Sequence, residues 1–147
     1  LAERRQGAPP LSYAATILAS TASHRDWLIA DEARYQLKAR IAQVFEDLDV
    51  IVSPTTAVAP FVHDHSDFNH RQLRTSDGGT IPYNSMMMWI ALATVCGLPA
   101  TAMPAGFTPA GLPVGVQIIG PEGGDTTALA AAQALEAALG GYVAPAL

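Results

Sequence analysis

The chain has 147 residues, 50% of them hydrophobic and only 14% charged, a balance that favours one packed domain over disorder. Its net charge is −5 and its eight Lys and Arg residues are scattered, so there is no phosphate-binding footprint and nucleic acid is excluded as a direct partner. No apolar run reaches the roughly 18 residues that a membrane span needs, and the single cysteine, Cys96, excludes an intrachain disulfide and fits a cytoplasmic setting.

Leu1–Pro10 is polar, ends in Ala8-Pro9-Pro10 and reads as a connector. The opening Leu1-Ala2-Glu3-Arg4-Arg5 has neither a starting Met nor the apolar centre of a signal peptide, and reads as the middle of a longer protein. Leu11–Ala22 follows as a short helix with Ser12 as its cap and Tyr13, Ile17 and Leu18 apolar. Ser23–Leu48 is the clearest helix. Ser23 is its N-cap, with Asp26 as the acidic partner three positions on, and Ala30, Leu37, Ile41, Val44 and Leu48 draw one apolar stripe. Arg34, Lys38 and Arg40 fall elsewhere on the wheel, where long cationic side chains keep their heads in water. The Val50-Ile51-Val52 run then predicts a strand buried on both faces of a sheet.

Ala57–Tyr83 is irregular and holds three of the four histidines; a loop this long is often functional. Asn84–Cys96 returns to apolar character and predicts a helix that feeds the Gly97-Leu98-Pro99 corner. Two apolar runs, Ala100–Met103 and Val114–Ile119, are bounded by Pro and Gly and predict core strands joined by a surface turn around Thr108–Gly111. Asp125–Leu139 is the last helix, capped by Asp125, lined by Leu129, Ala132, Leu135 and Leu139, and stopped by Gly140-Gly141.

From Cys96 to Pro121 the chain reads CGLPATAMPAGFTPAGLPVGVQIIGP. This order of Gly-Leu-Pro-Ala, Pro-Ala-Gly-Phe and Gly-Leu-Pro-Val-Gly-Val-Gln-Ile-Ile-Gly-Pro resembles the C-terminal region of amidase-signature hydrolases. The long helix with Trp27 near its start and Phe45 near its end, running straight into Asp49–Thr56, is also similar to that family. The resemblance implies an α/β fold, with this chain forming part of a mixed β-sheet flanked by helices. It implies that residues 1–147 are the C-terminal portion of a single amidase-signature domain, whose N-terminal catalytic half is absent from the chain. Gly97, Pro99, Pro104 and Gly115 match as structural positions. Gln117 is the polar exception in an apolar strand, and a buried amide must find hydrogen bonds, so it ties the sheet to a neighbouring segment.

Enzymes of the resembling family use a serine nucleophile, a second serine and a neutral lysine that activates it, with backbone N–H groups holding the oxyanion. This chain has no Gly-Ser-Ser segment, and its one lysine, Lys38, lies in mid-helix. No catalytic residue is therefore assigned, and no Gly-x-Ser-x-Gly elbow replaces the triad. His24 with Ser20, Ser23 and Asp26 is explained more simply by capping. His63-Asp64-His65, with Asp67 and His70, has the residue types of a metal site. It lacks a second anchoring pair and reads as a polar loop bordering the substrate entrance, so no metal is assigned. The resemblance implies no cofactor. Met86-Met87-Met88-Trp89 reads as packed core or, by its place in the family, as part of an acyl-pocket wall. On that analogy Met87, Ala91 and Tyr83 bind substrate, with Met87 and Ala91 one helical turn apart.

The expected activity is hydrolysis of a carboxylic amide, with an apolar or aryl acyl group, by a Ser-Ser-Lys mechanism housed outside this chain. The implied partners are a small-molecule amide and the N-terminal half of the same enzyme, with a homodimer left open and neither nucleic acid nor membrane involved. An A-type subunit of a tRNA-dependent amidotransferase shares the same motifs. A truncated, non-catalytic binding module ranks last, because its edge strands would lack partners.

Overall fold

The structure, a computed structural model, describes residues 13–144. The connector expected over residues 1–10 and the cap expected at Ser12 lie outside them. Helix α1 (Tyr13–Ser20) is closed by Ser20 and Thr21, whose hydroxyls donate to the Ile17 carbonyl at 2.9 and 3.0 Å. Helix α2 (His24–Val44) begins at the expected capping box. The Asp26 N–H donates to Ser23 Oγ at 3.2 Å, and the Ser23 N–H donates to Asp26 Oδ2 at 3.1 Å. The helix stops at Phe45, before Leu48, where the Phe45 N–H is shared between the Ile41 and Ala42 carbonyls.

Three strands form the main sheet: β1 (Ile51–Pro54), β4 (Ala100–Phe107) and β5 (Pro113–Ile119), in the order β1-β5-β4. Both pairings are antiparallel, with Ile119 opposite Ile51 on one side and Ala100 on the other. The α/β class stands, and the strands of this part all run antiparallel. The β4–β5 connection is the expected hairpin, with the Thr108 N–H bonded to the Leu112 carbonyl at 2.8 Å. Pro104, which cannot donate to a ladder, sits where the register shifts before Gly106.

Helix α4 (Asp125–Leu139) covers one face of this sheet. Met103, Ile118 and Ala132 form the core, with Val50, Val116 and Leu135 packed against them. The helix spans the expected residues, but two details differ. Its N-cap is Gly124, with no side-chain cap from Asp125. Its buried face runs through Ala128 and Ala132, while Leu129 and Leu139 are exposed. The cause is the close approach of Gly120 at the end of β5. A Cβ placed there would lie 3.3 Å from the Ala128 methyl, so only small residues fit at this crossing.

Three other expectations change. β1 is half-exposed, with Val52 at 50%, because among the described residues it pairs only with β5. The stripe on α2 is not buried either, since no residue of that helix is. Lys38 does not simply face water: its ammonium meets Glu122 Oε1 at 2.6 Å, bracing α2 against the turn before α4.

Candidate substrate cleft

β1 ends at Pro54 and the chain leaves the sheet, but Thr55 holds it beside β5 by donating its hydroxyl to the Gly115 carbonyl at 3.3 Å. The stretch expected to be one long loop is more ordered than its composition implies. It contains a 3-10 turn, Phe68–His70, and a hairpin of β2 (Gln72–Arg74) and β3 (Thr80–Pro82). Asp77-Gly78 between two alternating runs is the sequence signal that marks this hairpin. Gly78 takes φ 85°, and Asp77 accepts hydrogen bonds from the Thr75 hydroxyl and the Gly79 N–H. These bonds hold the Asp77 carboxyl below the usual carboxylate range. Leu73, at the centre of β2, is buried at 2% exposure and anchors the hairpin.

Between residues 54–65, this hairpin and the start of β5 lies a cleft of about 980 Å³. Phe61, Leu73, Met86 and Val114 give it an apolar lining, and His63, Asp64, His65 and Arg74 supply the polar groups. Tyr83 lines it as well and is the hub of an aromatic cluster. Phe61 and Phe68 meet its ring edge-on, at centroid distances of 6.1 and 5.4 Å. The Arg71 guanidinium lies 5.5 Å from the same ring. Neither Phe68 nor Arg71 had a sequence signal, because their contacts arise only when the loop folds back.

The histidine segment makes local contacts. The Ser66 N–H donates to Asp64 Oδ1 at 2.8 Å, and hydrogen bonds from the Ser66 side chain and N–H hold the Asp64 carboxyl below its ordinary range. His70 Nδ1 lies 3.5 Å from Asp67, and the His63 and His65 rings meet edge-on at 6.2 Å. Among the described residues no group of three His, Cys, Asp or Glu side chains is placed to hold a metal ion. The lining can recognise an apolar group and place a few polar ones around it.

Of the expected substrate residues, Tyr83 is in the cleft wall, whereas Met87 and Ala91 are not among its lining. The predicted helix over Asn84–Cys96 is broken in two, a 3-10 turn at Tyr83–Met87 and helix α3 at Ala91–Cys96. Met87 and Ala91 therefore sit on separate elements rather than one turn apart on a single helix. Met87, Met88 and Trp89 are exposed, at 50%, 53% and 39%, which corrects the packed-core reading for these three side chains, while Met86 is half-buried and lines the cleft. What is buried here is the end of α3, at Ala93 and Cys96.

A model of the Amidase family matches residues 6–129 of the chain. The chain belongs to that family. Over 106 residues it is 36% identical to the A-type subunit of glutamyl-tRNA(Gln) amidotransferase from Natronomonas pharaonis, covering 72% of this chain and 22% of that protein. Over 115 residues it is 31% identical to the fatty acid amide hydrolase of Arabidopsis thaliana, covering 78% of this chain and 18% of that protein. Its fold superposes on the crystal structure of a bacterial aryl acylamidase of the amidase signature enzymes with a TM-score of 0.66 and 25% identity, covering 91% of this chain and 27% of that one. The chain thus spans about a fifth of the length of the curated relatives it matches. No helix among the described residues is long and apolar enough to cross a membrane.

Proposed function

We propose that the chain is the C-terminal part of an amidase that hydrolyses a carboxylic amide, carrying an apolar or aryl acyl group, to the acid and ammonia or an amine. The observation that carries this reading is the Amidase match over residues 6–129; the apolar cleft lined by Phe61, Met86 and Tyr83 supports the acyl preference. In the complete enzyme a lysine-activated serine adds to the amide carbonyl. The C–N bond then breaks as the nitrogen takes up a proton, and water releases the acid from the acyl-serine. Those residues belong to the N-terminal half of the domain. This chain contributes sheet strands and one wall of the acyl pocket, with Tyr83 as the substrate contact in this cleft and Met87 and Ala91, which lie outside its lining, as contacts on the side that the catalytic half completes.

The exposed apolar side chains on one face of α2, Ile29, Leu37 and Val44 at 61%, 37% and 38%, support the same reading. A surface of that kind calls for a cover, and the catalytic half of the domain supplies it. A second reading, the A-type component of a tRNA-dependent amidotransferase, draws on the 36% identity to that protein of Natronomonas pharaonis.

The test is an assay of the complete polypeptide carrying this segment against aliphatic and aryl amides of graded acyl length and against glutamine. Turnover of the apolar amides with no glutaminase activity is expected. Glutamine as the sole substrate selects the amidotransferase reading, and hydrolysis of neither sinks both. The purified 147-residue chain alone is expected to turn over none of them, and measurable hydrolysis by it overturns the placement of the triad.

A further inference from the structure

Arg71 lies one rung beyond the β2–β3 ladder, where its carbonyl accepts the Tyr83 N–H at 3.1 Å. The two residues are therefore cross-strand neighbours, close enough for their side chains to interact. The Arg71 guanidinium carbon is 5.5 Å from the Tyr83 ring centroid and 5.9 Å from that of Phe68. Its Nε donates to the Ser66 carbonyl at 2.9 Å. One side chain thus joins the turn at Ser66, the 3-10 turn at Phe68 and the wall residue Tyr83, while contributing nothing to the lining of the cleft itself.

We propose that Arg71 is a positioning residue for this cleft: by holding the Tyr83 ring against Phe61 and Phe68, it sets the width of the opening and so which acyl groups are admitted. The inference rests on the reading of the cleft as an acyl pocket. Arginine suits the role because a planar guanidinium can lie near two aromatic rings and still donate from its edge. A lysine ammonium is a compact point charge without that planar fork and serves two rings and a carbonyl less well. Asp64, the neighbouring carboxylate, takes its hydrogen bonds from Ser66 and interacts with Arg71 only through its charge.

The test uses Arg71→Met and Arg71→Lys in the complete polypeptide. In Arg71→Met the KM for bulky aryl amides, relative to that for the smallest amide, shifts by about threefold, the scale of one lost cation–π contact. The kcat for the smallest amide stays unchanged, and Arg71→Lys recovers only part of the selectivity. Independently of activity, hydroxyl-radical labelling of Tyr83, which does not depend on its ionisation and is read by peptide mass spectrometry, rises about threefold in Arg71→Met as the ring loosens. An unchanged selectivity ratio in an active enzyme overturns the proposal. Unchanged Tyr83 labelling overturns it even if the polypeptide hydrolyses no amide, so the two readings fail separately. If both variants unfold, Arg71 is a stability residue and the proposal also falls.

Discussion

The side-chain amide of Gln117 donates to the main-chain carbonyl of Trp89 at 2.7 Å, across 28 residues of sequence. The same nitrogen lies 3.0 Å from Ser53 Oγ and 3.3 Å from the Pro54 carbonyl. The one buried polar side chain among the described residues therefore fastens the central strand to both β1 and the segment that enters α3. That segment carries Met87 and leads to Ala91.

Replacing this amide by an apolar side chain of similar shape tests the connection. Gln117→Met leaves the Trp89 carbonyl without its donor, and loss of this part-buried hydrogen bond costs ~1 kcal/mol. Denaturant unfolding of the complete polypeptide should show that loss. A midpoint equal to that of the unaltered protein means that water replaces the amide without penalty.

Gly120 makes a sharper steric prediction. A Cβ at this buried position would lie 2.8 Å from the Gly124 carbonyl oxygen and 3.3 Å from the Ala128 methyl. Gly120→Ala should therefore destabilise the protein by ~1–3 kcal/mol, the usual cost of overpacking, and adding Ala128→Gly should not rescue it, because the tighter contact is with the Gly124 backbone and a helical glycine costs ~1 kcal/mol more. Thermal unfolding of the single and double variants checks both, and a double variant as stable as the unaltered protein would make the Ala128 methyl the deciding contact.

The β2–β3 turn should respond to acid. Hydrogen bonds from the Thr75 hydroxyl and the Gly79 N–H lower the Asp77 pKa in the folded chain. A lowered folded pKa means that the contribution is fully present above the unfolded carboxylate value of roughly 4 and is lost as pH falls through the folded value. Amide exchange of the hairpin, followed by mass spectrometry across that range and divided by the intrinsic rate at each pH, should rise as pH falls in the unaltered polypeptide. In Asp77→Asn it should be faster throughout and less dependent on pH.

Met87 gives the functional prediction. On the proposed role of Met87 as a substrate contact, Met87→Trp in the complete enzyme should alter acyl-chain preference. Kinetics unchanged across an acyl-length series remove Met87 from the substrate wall.

Local chemistry was legible in the sequence. Ser23 and Asp26 are three residues apart, so their capping box forms within one helical turn. The β4–β5 hairpin and the span of α4 likewise follow from turn residues adjacent in the chain. The β2–β3 hairpin was legible in principle, from Asp77-Gly78, but its strands of three residues each are too short to stand out by periodicity. The break between Met87 and Ala91 was not legible, because an apolar run carries the same signal whether one helix or two shorter elements follow it.

The α/β class, the family motifs from Cys96 to Pro121 and the need of Gln117 for a partner follow from residue type or from neighbours a few positions apart. That this partner is Trp89, that Lys38 meets Glu122, that Ala128 rather than Leu129 faces the sheet and that Arg71 reaches Tyr83 emerged only in the folded chain. These outcomes depend on how closely backbones approach and on which distant side chains arrive at the same point. That information is shared between segments far apart in the chain, and no short stretch carries it alone.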